Sequence, residues 1–329
     1  IFIRNNTFNG NDLRHNGGVV ITAVSGFVTP KASAAYKSHF DWVPYFGAGG
    51  NNNLLIEGNT IVGWRCPGCD LMGITLDAIS WRSSAGGAMP NENTVIRSNY
   101  CEGFGGDCFQ SGAYAGRHTL FENNTCRTRY TGAGEGGEEN CVDLKFTEYT
   151  TVRNNSMNGY VGDSGGGPSG PAVHHAGARE ILWEGNTIYS SQLAVRIATG
   201  VNGCGPWEGI MYYEACWANA ISKMPVGFRF VNNLVFDITD AANEQWGMAL
   251  YTEMLGDSVE IYNNVFSNIA HWAHAGTGKF KNNILYNVGT KWGVALDLAV
   301  EGIPSDRLYE FKNNIIFPTT GLRYTYRDA

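Results

Sequence analysis

Ten short segments of the chain share one pattern of apolar and polar positions. Each has an apolar residue, an outward polar residue, an Asn-containing pair and a second apolar residue. The second member of the pair is asparagine in all ten, and we call these residues the ladder asparagines: Asn6, Asn59, Asn99, Asn124, Asn155, Asn186, Asn233, Asn264, Asn283 and Asn314. Self-similarity with a period of roughly 20–50 residues is typical of repeat architectures. The pattern therefore predicts a solenoid.

The apolar residues of each segment indicate that the repeating unit is built from strands. They stand three residues before and two residues after each ladder asparagine, with a mostly charged residue between them, and this alternation has the period of a strand. Helical repeats need apolar spacings of three and four, and a β-propeller, the nearest alternative, needs longer repeats with a Trp-Asp signature. We expect each asparagine to mark a bend between two strands and to bond to the asparagine of the next coil.

A second strand recurs upstream of the asparagine bend and carries the candidate chemistry. Aligning its small-apolar pairs predicts one outward column of seven residues on successive coils: Asp77, Gln110, Asp143, His174, Arg196, Tyr251 and Asp297. Lys145 follows Asp143 by two positions and is predicted to share its face, because side chains alternate along a strand. A purely structural coil needs no ionisable group there, so the column is a candidate groove.

Acidic residues crowd just before this column. Glu138, Glu139 and Asp143 lie within one glycine-rich stretch, and Asp107 occupies the preceding coil. Flexible sets of oxygen ligands suit Ca²⁺, so these four residues form a candidate cation site. The alternative is a solvated acidic loop.

Composition narrows the class of protein. The repeats run through all 329 residues, which favours one elongated domain of roughly eleven coils. We expect its N-terminal cap to lie outside this sequence, because residue 1 already falls in a predicted coil. A net charge of −7 offers no basic face to nucleic acid, and no apolar run is long enough for a membrane span. An insertion at about 200–225 contains Trp207 and Tyr212, which suit sugar stacking or cover the flank of the solenoid.

The eight cysteines indicate an oxidising, extracytoplasmic location if they form disulfides. Cys101 matches Cys126, and Cys108 matches Cys141, in successive coils. Adjacent coils place Cα atoms about 4.8 Å apart, within disulfide range. The register therefore predicts disulfides between coils, with further pairs at Cys66–Cys69 and Cys204–Cys216. Buried free thiols are the alternative.

The asparagine pattern resembles that of the pectate-lyase-like superfamily of right-handed parallel β-helices, which includes polysaccharide lyases, polygalacturonase-type hydrolases and epimerases. The resemblance spans nearly the whole chain, although it specifies fold better than activity. It implies a lyase that acts on an acidic polysaccharide. Lys145 would be the base, Arg196 or Ca²⁺ would neutralise the uronate carboxylate, and His174 and His175 would bind substrate or relay a proton. Gln110, Tyr251, Trp207 and Tyr212 would contact the sugar.

Two other functions stay open at this point. The hydrolase motifs of the superfamily are incomplete here, but Asp107 and Asp143 on neighbouring coils offer two carboxyl groups for inverting hydrolysis. A non-catalytic β-helix module in adhesion or in an extracellular assembly is the other alternative, because solenoids present long surfaces. Each candidate residue also has a structural interpretation: Lys145 pairs with Glu148 or Glu139, Arg196 anchors the insertion, and His175 lies in the core.

Overall fold

The fold is known from a computed structural model. It describes residues 1–11, 18–25, 52–64, 71–78, 91–104, 106–111, 116–128, 140–145, 147, 149–160, 171–176, 180–198, 227–239, 247–252, 259–275, 278–290, 296–297 and 310–317. All regular structure in these ranges is β-strand. The described segments include no helix that is long and apolar enough to cross a membrane.

The strands, numbered in chain order, form three long sheets and one short pair. Sheet A has ten strands: β1 (Phe2–Arg4), β4 (Leu55–Glu57), β8 (Val95–Arg97), β12 (Leu120–Glu122), β15 (Thr151–Arg153), β18 (Ile181–Glu184), β21 (Phe228–Val231), β24 (Val259–Tyr262), β27 (Lys279–Lys281) and β30 (Glu310–Lys312). Sheet B has ten: β2 (Thr7–Asn9), β5 (Thr60–Trp64), β9 (Tyr100–Phe104), β13 (Thr125–Arg127), β16 (Ser156–Asn158), β19 (Thr187–Ser191), β22 (Leu234–Ile238), β25 (Val265–Ile269), β28 (Ile284–Val288) and β31 (Ile315–Phe317). Sheet C has nine: β3 (Gly18–Ser25), β6 (Leu71–Ala78), β10 (Phe109–Ser111), β14 (Val142–Lys145), β17 (Pro171–Ala176), β20 (Leu193–Ala198), β23 (Met248–Thr252), β26 (His274–Ala275) and β29 (Leu296–Asp297). The short pair is β7 (Asn91–Glu92) with β11 (Gly116–Arg117).

Each sheet is parallel, and its neighbouring strands come from successive coils. The chain passes from a strand of sheet A through the asparagine bend to sheet B, and then to sheet C, before the next coil begins. Crossovers between parallel strands are almost always right-handed. The all-β, right-handed parallel β-helix that the sequence predicts is therefore confirmed.

The bend between sheets A and B explains the composition of each asparagine-containing pair. The first member of every pair has a left-handed backbone, with φ between 54° and 65° in all ten coils. Asparagine and glycine tolerate this region best among common residues, and nine of the ten positions are one or the other, with Ser98 the exception. The repeated pair is thus required by the local turn.

The second member of each pair forms a continuous hydrogen-bonded ladder. In all nine successive pairs the side-chain Nδ2 donates to Oδ1 of the next asparagine at 3.0–3.1 Å. The backbone N–H of the same residue donates to that Oδ1 at 2.8–3.0 Å. From Asn59 onward, Nδ2 also donates to a backbone carbonyl of the preceding coil. The ladder asparagines therefore lie in a single file.

The core is made of apolar columns on either side of this ladder. The residue three positions before each asparagine is buried in eight successive coils, from Ile56 to Phe280. Near the C-terminal end the column consists of phenylalanines, and Phe280 stacks on Phe311 with ring centroids 5.8 Å apart. Like residues stack because the parallel register places equivalent positions directly above one another.

Removing one asparagine side chain from the ladder should destabilise the whole domain. Asn155→Ala would remove the acceptor for the backbone N–H and Nδ2 of Asn124 and the donor to Phe121 O, all buried. We expect a loss of about 3 kcal/mol in the free energy of unfolding, measured in urea, because orphaned buried groups cost about 1–3 kcal/mol each.

The adjacent Asn154 provides the matched control. It is exposed and has φ of 54°, and glycine already occupies the equivalent position at Gly58 and Gly185. Asn154→Gly should therefore change the stability by less than about 1 kcal/mol. Equal losses in the two variants would refute the structural role of the ladder.

Candidate functional site

Sheet C brings most of the predicted column into register. Gln110 pairs with Asp143, Asp143 with His174, His174 with Arg196, and Arg196 with Tyr251. Consecutive coils are about 4.8 Å apart, so positions 143 and 196 are separated by about 10 Å. Five residues with polar or ionisable side chains therefore occupy one line along the solenoid.

The predicted placement of Asp77 in this line is wrong. Thr75 pairs with Gln110, and Asp77 stands two residues further along the same strand. A shift of two residues keeps a side chain on the same face, so alternation along the strand cannot detect it. At the other end Ala275 lies between Tyr251 and Asp297, which interrupts the column.

Asp143 is buried even though its position faces away from the core. Val142 and Leu144 on either side of it belong to the core, which directs residue 143 to the opposite face of the sheet. Yet Asp143 is only 1% exposed. The sequence predicts an outward column, and this member of it is covered.

Asp107 is a second buried carboxyl group, one coil earlier. It is 0% exposed, and Nε2 of Gln110 donates to its Oδ2 at 3.1 Å. Desolvating a carboxylate is costly unless the surroundings compensate it, and such costs concentrate at functional sites. Asp107, Gln110 and Asp143 thus form the polar end of the candidate site.

Arg196 and an aromatic pair form the other end. Arg196 is half-buried between Val195 and Ile197, which are core residues. In the next coils Tyr251 and Trp272 pack together with Leu193 and Met248 in a small apolar cluster separate from the main core. Arg196 pairs with Tyr251, and an arginine next to a tyrosine suits an anionic sugar, which offers a carboxylate and apolar ring faces. Trp272 lies outside the strands of sheet C, whereas Tyr251 lies within one. The strand pattern of the sequence therefore does not identify Trp272 as a site residue.

The remaining predicted residues are described in part or not at all. Lys145 pairs with Ala176, and His175 pairs with Leu144, so the backbone places Lys145 two positions beyond Asp143 and His175 one position beyond His174. Nothing is described of the side chains of Lys145, His174 or His175. Glu138, Glu139, Trp207 and Tyr212 lie outside the described residues.

The outward charges of sheet A neutralise one another. Opposite charges follow one another along the stack: Arg97 Nε lies 2.6 Å from Glu57, and Arg153 lies 2.7 Å from Glu122. Hydrogen bonds from Lys281 and Lys312 lower the pKa of Glu310 to about 2. This surface consists of compensated ion pairs and is a poor candidate for substrate binding.

The described part of sheet C does not contain a complete Ca²⁺ ligand set. No three carboxylate, histidine or cysteine side chains among the described residues come together as metal ligands. One oxygen of Asp107 already accepts an amide N–H from Gln110. Ca²⁺ takes six to eight oxygen ligands, and Glu138 and Glu139, the other two members of the predicted cation site, lie outside the described residues. The Ca²⁺ site therefore stays a prediction.

Two disulfides fix the coils that carry the buried carboxylates. Cys101 bonds to Cys108, and Cys126 bonds to Cys141, so each bridge closes within one coil. The predicted bridges between coils are wrong, although Cys126 does stack on Cys101. Side chains stacked along a sheet point in parallel, whereas residues from two sheets of one coil point toward each other across the core. Asp107 adjoins Cys108, and Asp143 lies two residues beyond Cys141.

Comparison with known proteins supports the fold. No protein-family model matches the sequence, and no curated protein is significantly similar to it. The solved structure of an alginate lyase from Paenibacillus sp. str. FPU-7 matches with a TM-score of 0.52 at 12% identity, over 94% of this chain and 99% of the other. At 12% identity this likeness is one of fold alone, and it agrees with the parallel β-helix described above.

Two further β-helices match less well. A tailspike protein mutant of E. coli bacteriophage HK620 has a TM-score of 0.47 at 12% identity, over 81% of this chain. The catalytic unit of a GH87 α-1,3-glucanase from Streptomyces thermodiastaticus strain HF3-3 has a TM-score of 0.43 at 12% identity, over 83%. This β-helix spans 42% and 50% of those two proteins.

The disulfide pattern makes a direct prediction for peptide mapping. Trypsin cleaves after Arg97, Arg117, Arg127, Arg129 and Lys145. Without reduction, peptide 98–117 should be released alone and lighter by two hydrogens, because Cys101 and Cys108 are bonded within it. Peptide 118–127 should remain attached to the peptide that ends at Lys145. A covalent link from peptide 98–117 to either of the others, measured by mass spectrometry, would indicate bridges between coils instead.

Proposed function

We propose that the protein is a secreted polysaccharide lyase that cleaves a uronic-acid polymer by β-elimination on sheet C. The observation that carries the proposal is the in-register line of Gln110, Asp143, His174, Arg196 and Tyr251 on successive coils. Its members provide hydrogen-bonding, acid–base and cationic groups within the length of a few sugar residues. Two disulfides beside this line are compatible with secretion.

In the proposed mechanism Lys145 removes the proton from C5 of a uronate. The electron pair of that C–H bond forms the C4=C5 double bond, and the C4–O bond breaks. The departing oxygen takes a proton from His174, which yields a new chain end and an unsaturated sugar. Negative charge develops on the uronate carboxylate during proton removal, and Arg196 stabilises it there.

The substrate class follows from the two ends of the site. Arg196 provides a permanent positive charge for a carboxylate, and Tyr251 and Trp272 provide aromatic surface for a sugar ring. The alginate lyase of the same fold acts on a polymer of uronic acids, which supports this class of substrate.

Inverting hydrolysis is the second candidate, and the two buried carboxyl groups favour it. Asp107 and Asp143 are both almost fully buried and lie on consecutive coils. Hydrolysis with inversion uses one carboxylic acid and one carboxylate, with room for a water molecule between them. This reaction gives saturated ends, whereas β-elimination gives ends that absorb ultraviolet light, so the products distinguish the two.

A panel of uronic-acid polymers tests the proposal. We expect at least one to yield ultraviolet-absorbing ends, and Lys145→Ala to lower kcat by about 10²–10⁴-fold, the usual contribution of a general base. Arg196→Ala should lower kcat by about 10²–10³-fold, as expected for the loss of a group that stabilises transition-state charge.

Arg229→Ala is the matched control for Arg196→Ala, because Arg229 is an exposed arginine on sheet A. It should retain full activity. New saturated ends without absorbance, abolished in Asp143→Asn, would establish hydrolysis. Binding without any new chain ends would support a non-catalytic module. Loss of activity on chelation, restored by Ca²⁺, would show that a metal contributes to the site.

A further inference from the structure

The outward surface of sheet B changes character part-way along the solenoid. The residue directly after each ladder asparagine forms one in-register column of this sheet. In the first six coils every residue of the column bears a hydroxyl group: Thr7, Thr60, Tyr100, Thr125, Ser156 and Thr187. In the last four it is aliphatic: Leu234, Val265, Ile284 and Ile315. The neighbouring inward positions stay mostly apolar throughout, so the change affects only the outer surface.

A second outward column strengthens the contrast. Two residues further along the same four strands stand Phe236, Ser267, Tyr286 and Phe317. We call the eight residues of the two columns in these coils the apolar face. Leu234, Ile284, Ile315, Tyr286 and Phe317 are between 36% and 56% exposed. The apolar face exposes on the order of 500 Å², at the upper end of what monomeric proteins leave uncovered.

The edges of the apolar face are polar and almost uncharged. On one side lie the exposed asparagines of the bends, Asn232, Asn263, Asn282 and Asn313. On the other side Asn268 donates to Asp237 at 2.9 Å, and Asn287 donates to Asn268 at 2.8 Å. An apolar centre within a polar rim is the usual anatomy of a protein–protein interface.

The chemistry of the apolar face disfavours other occupants. Neither column carries a lysine or arginine in these four coils, so an anionic membrane or a nucleic acid finds no complementary charge. A polysaccharide would need polar groups and open aromatic faces. The aliphatic column offers neither, and the Phe236 ring is stacked on Tyr189 with centroids 4.9 Å apart.

We propose that this face binds the same face of a second copy of the chain. Two sheet surfaces pack face to face at about 10 Å with their side chains interdigitated, which needs no special shape in the partner. Two copies that each carry a net charge of −7 would meet on surfaces where almost no charge repels. Together with its rim, the face approaches the roughly 800 Å² per partner that a stable dimer buries.

The chain itself supplies the substitutions that test the dimer. Thr7, Thr60, Thr125 and Thr187 show that the fold accepts threonine in the first column, so Leu234→Thr with Ile284→Thr should fold normally. We expect the wild-type protein to dimerise in sedimentation velocity between roughly 1 and 100 μM, the range of an ordinary protein–protein affinity. The double variant should remain monomeric throughout this range, with an unchanged circular dichroism spectrum.

The matched control is a second double variant, Leu120→Thr with Leu182→Thr, which changes two half-buried leucines of sheet A. This variant should dimerise as the wild type does. A wild-type protein that stays monomeric over the whole range overturns the proposal, and so does a double variant that still associates. If the double variant fails to fold, Ile315→Thr alone should still weaken dimerisation at least tenfold. Unchanged association in a folded Ile315→Thr protein would also count against the proposed interface.

Discussion

The hydrogen-bonding requirement of a buried asparagine side chain determines how the coils stack. Its amide has two donor hydrogens and an acceptor oxygen, and each needs a partner once water is excluded. A file of identical side chains at the spacing of parallel strands provides those partners in every coil. A coil displaced by one residue would leave several buried polar groups unsatisfied. The ladder therefore fixes the register of sheets A and B, which flank the bend, and holds successive coils in the stack that sheet C shares.

Much of this architecture could be predicted because one ladder asparagine marks the same position in each coil. Once they are aligned, the apolar alternation identifies the inward columns of sheets A and B. The small-apolar pairs of sheet C then give the line from Gln110 to Tyr251. The placement of Asp77 fails for a definite reason. Sheet C carries no invariant residue, and its strands were aligned on small-apolar pairs that fit equally well when shifted by two positions.

Other features are not encoded in a one-dimensional repeat. The cysteine positions correspond between coils, but correspondence does not say whether two side chains point in parallel or toward each other across the core. The burial of Asp143 is a similar case, because alternation assigns the face of a strand and not what covers that face. Trp272 joins Tyr251 only through packing outside the regular strands. The least predictable parts of the molecule are thus its departures from periodicity, and Trp272 of the candidate site is one of them.

The two disulfides have an evolutionary implication. Each bridge begins and ends within its own coil, so among the described residues no disulfide joins one coil to the next. A coil can therefore be duplicated or deleted as a unit without leaving an unpaired half-cystine behind. Lengthening of the solenoid by internal gene duplication is in this respect chemically simple, and bridges between coils would have prevented it.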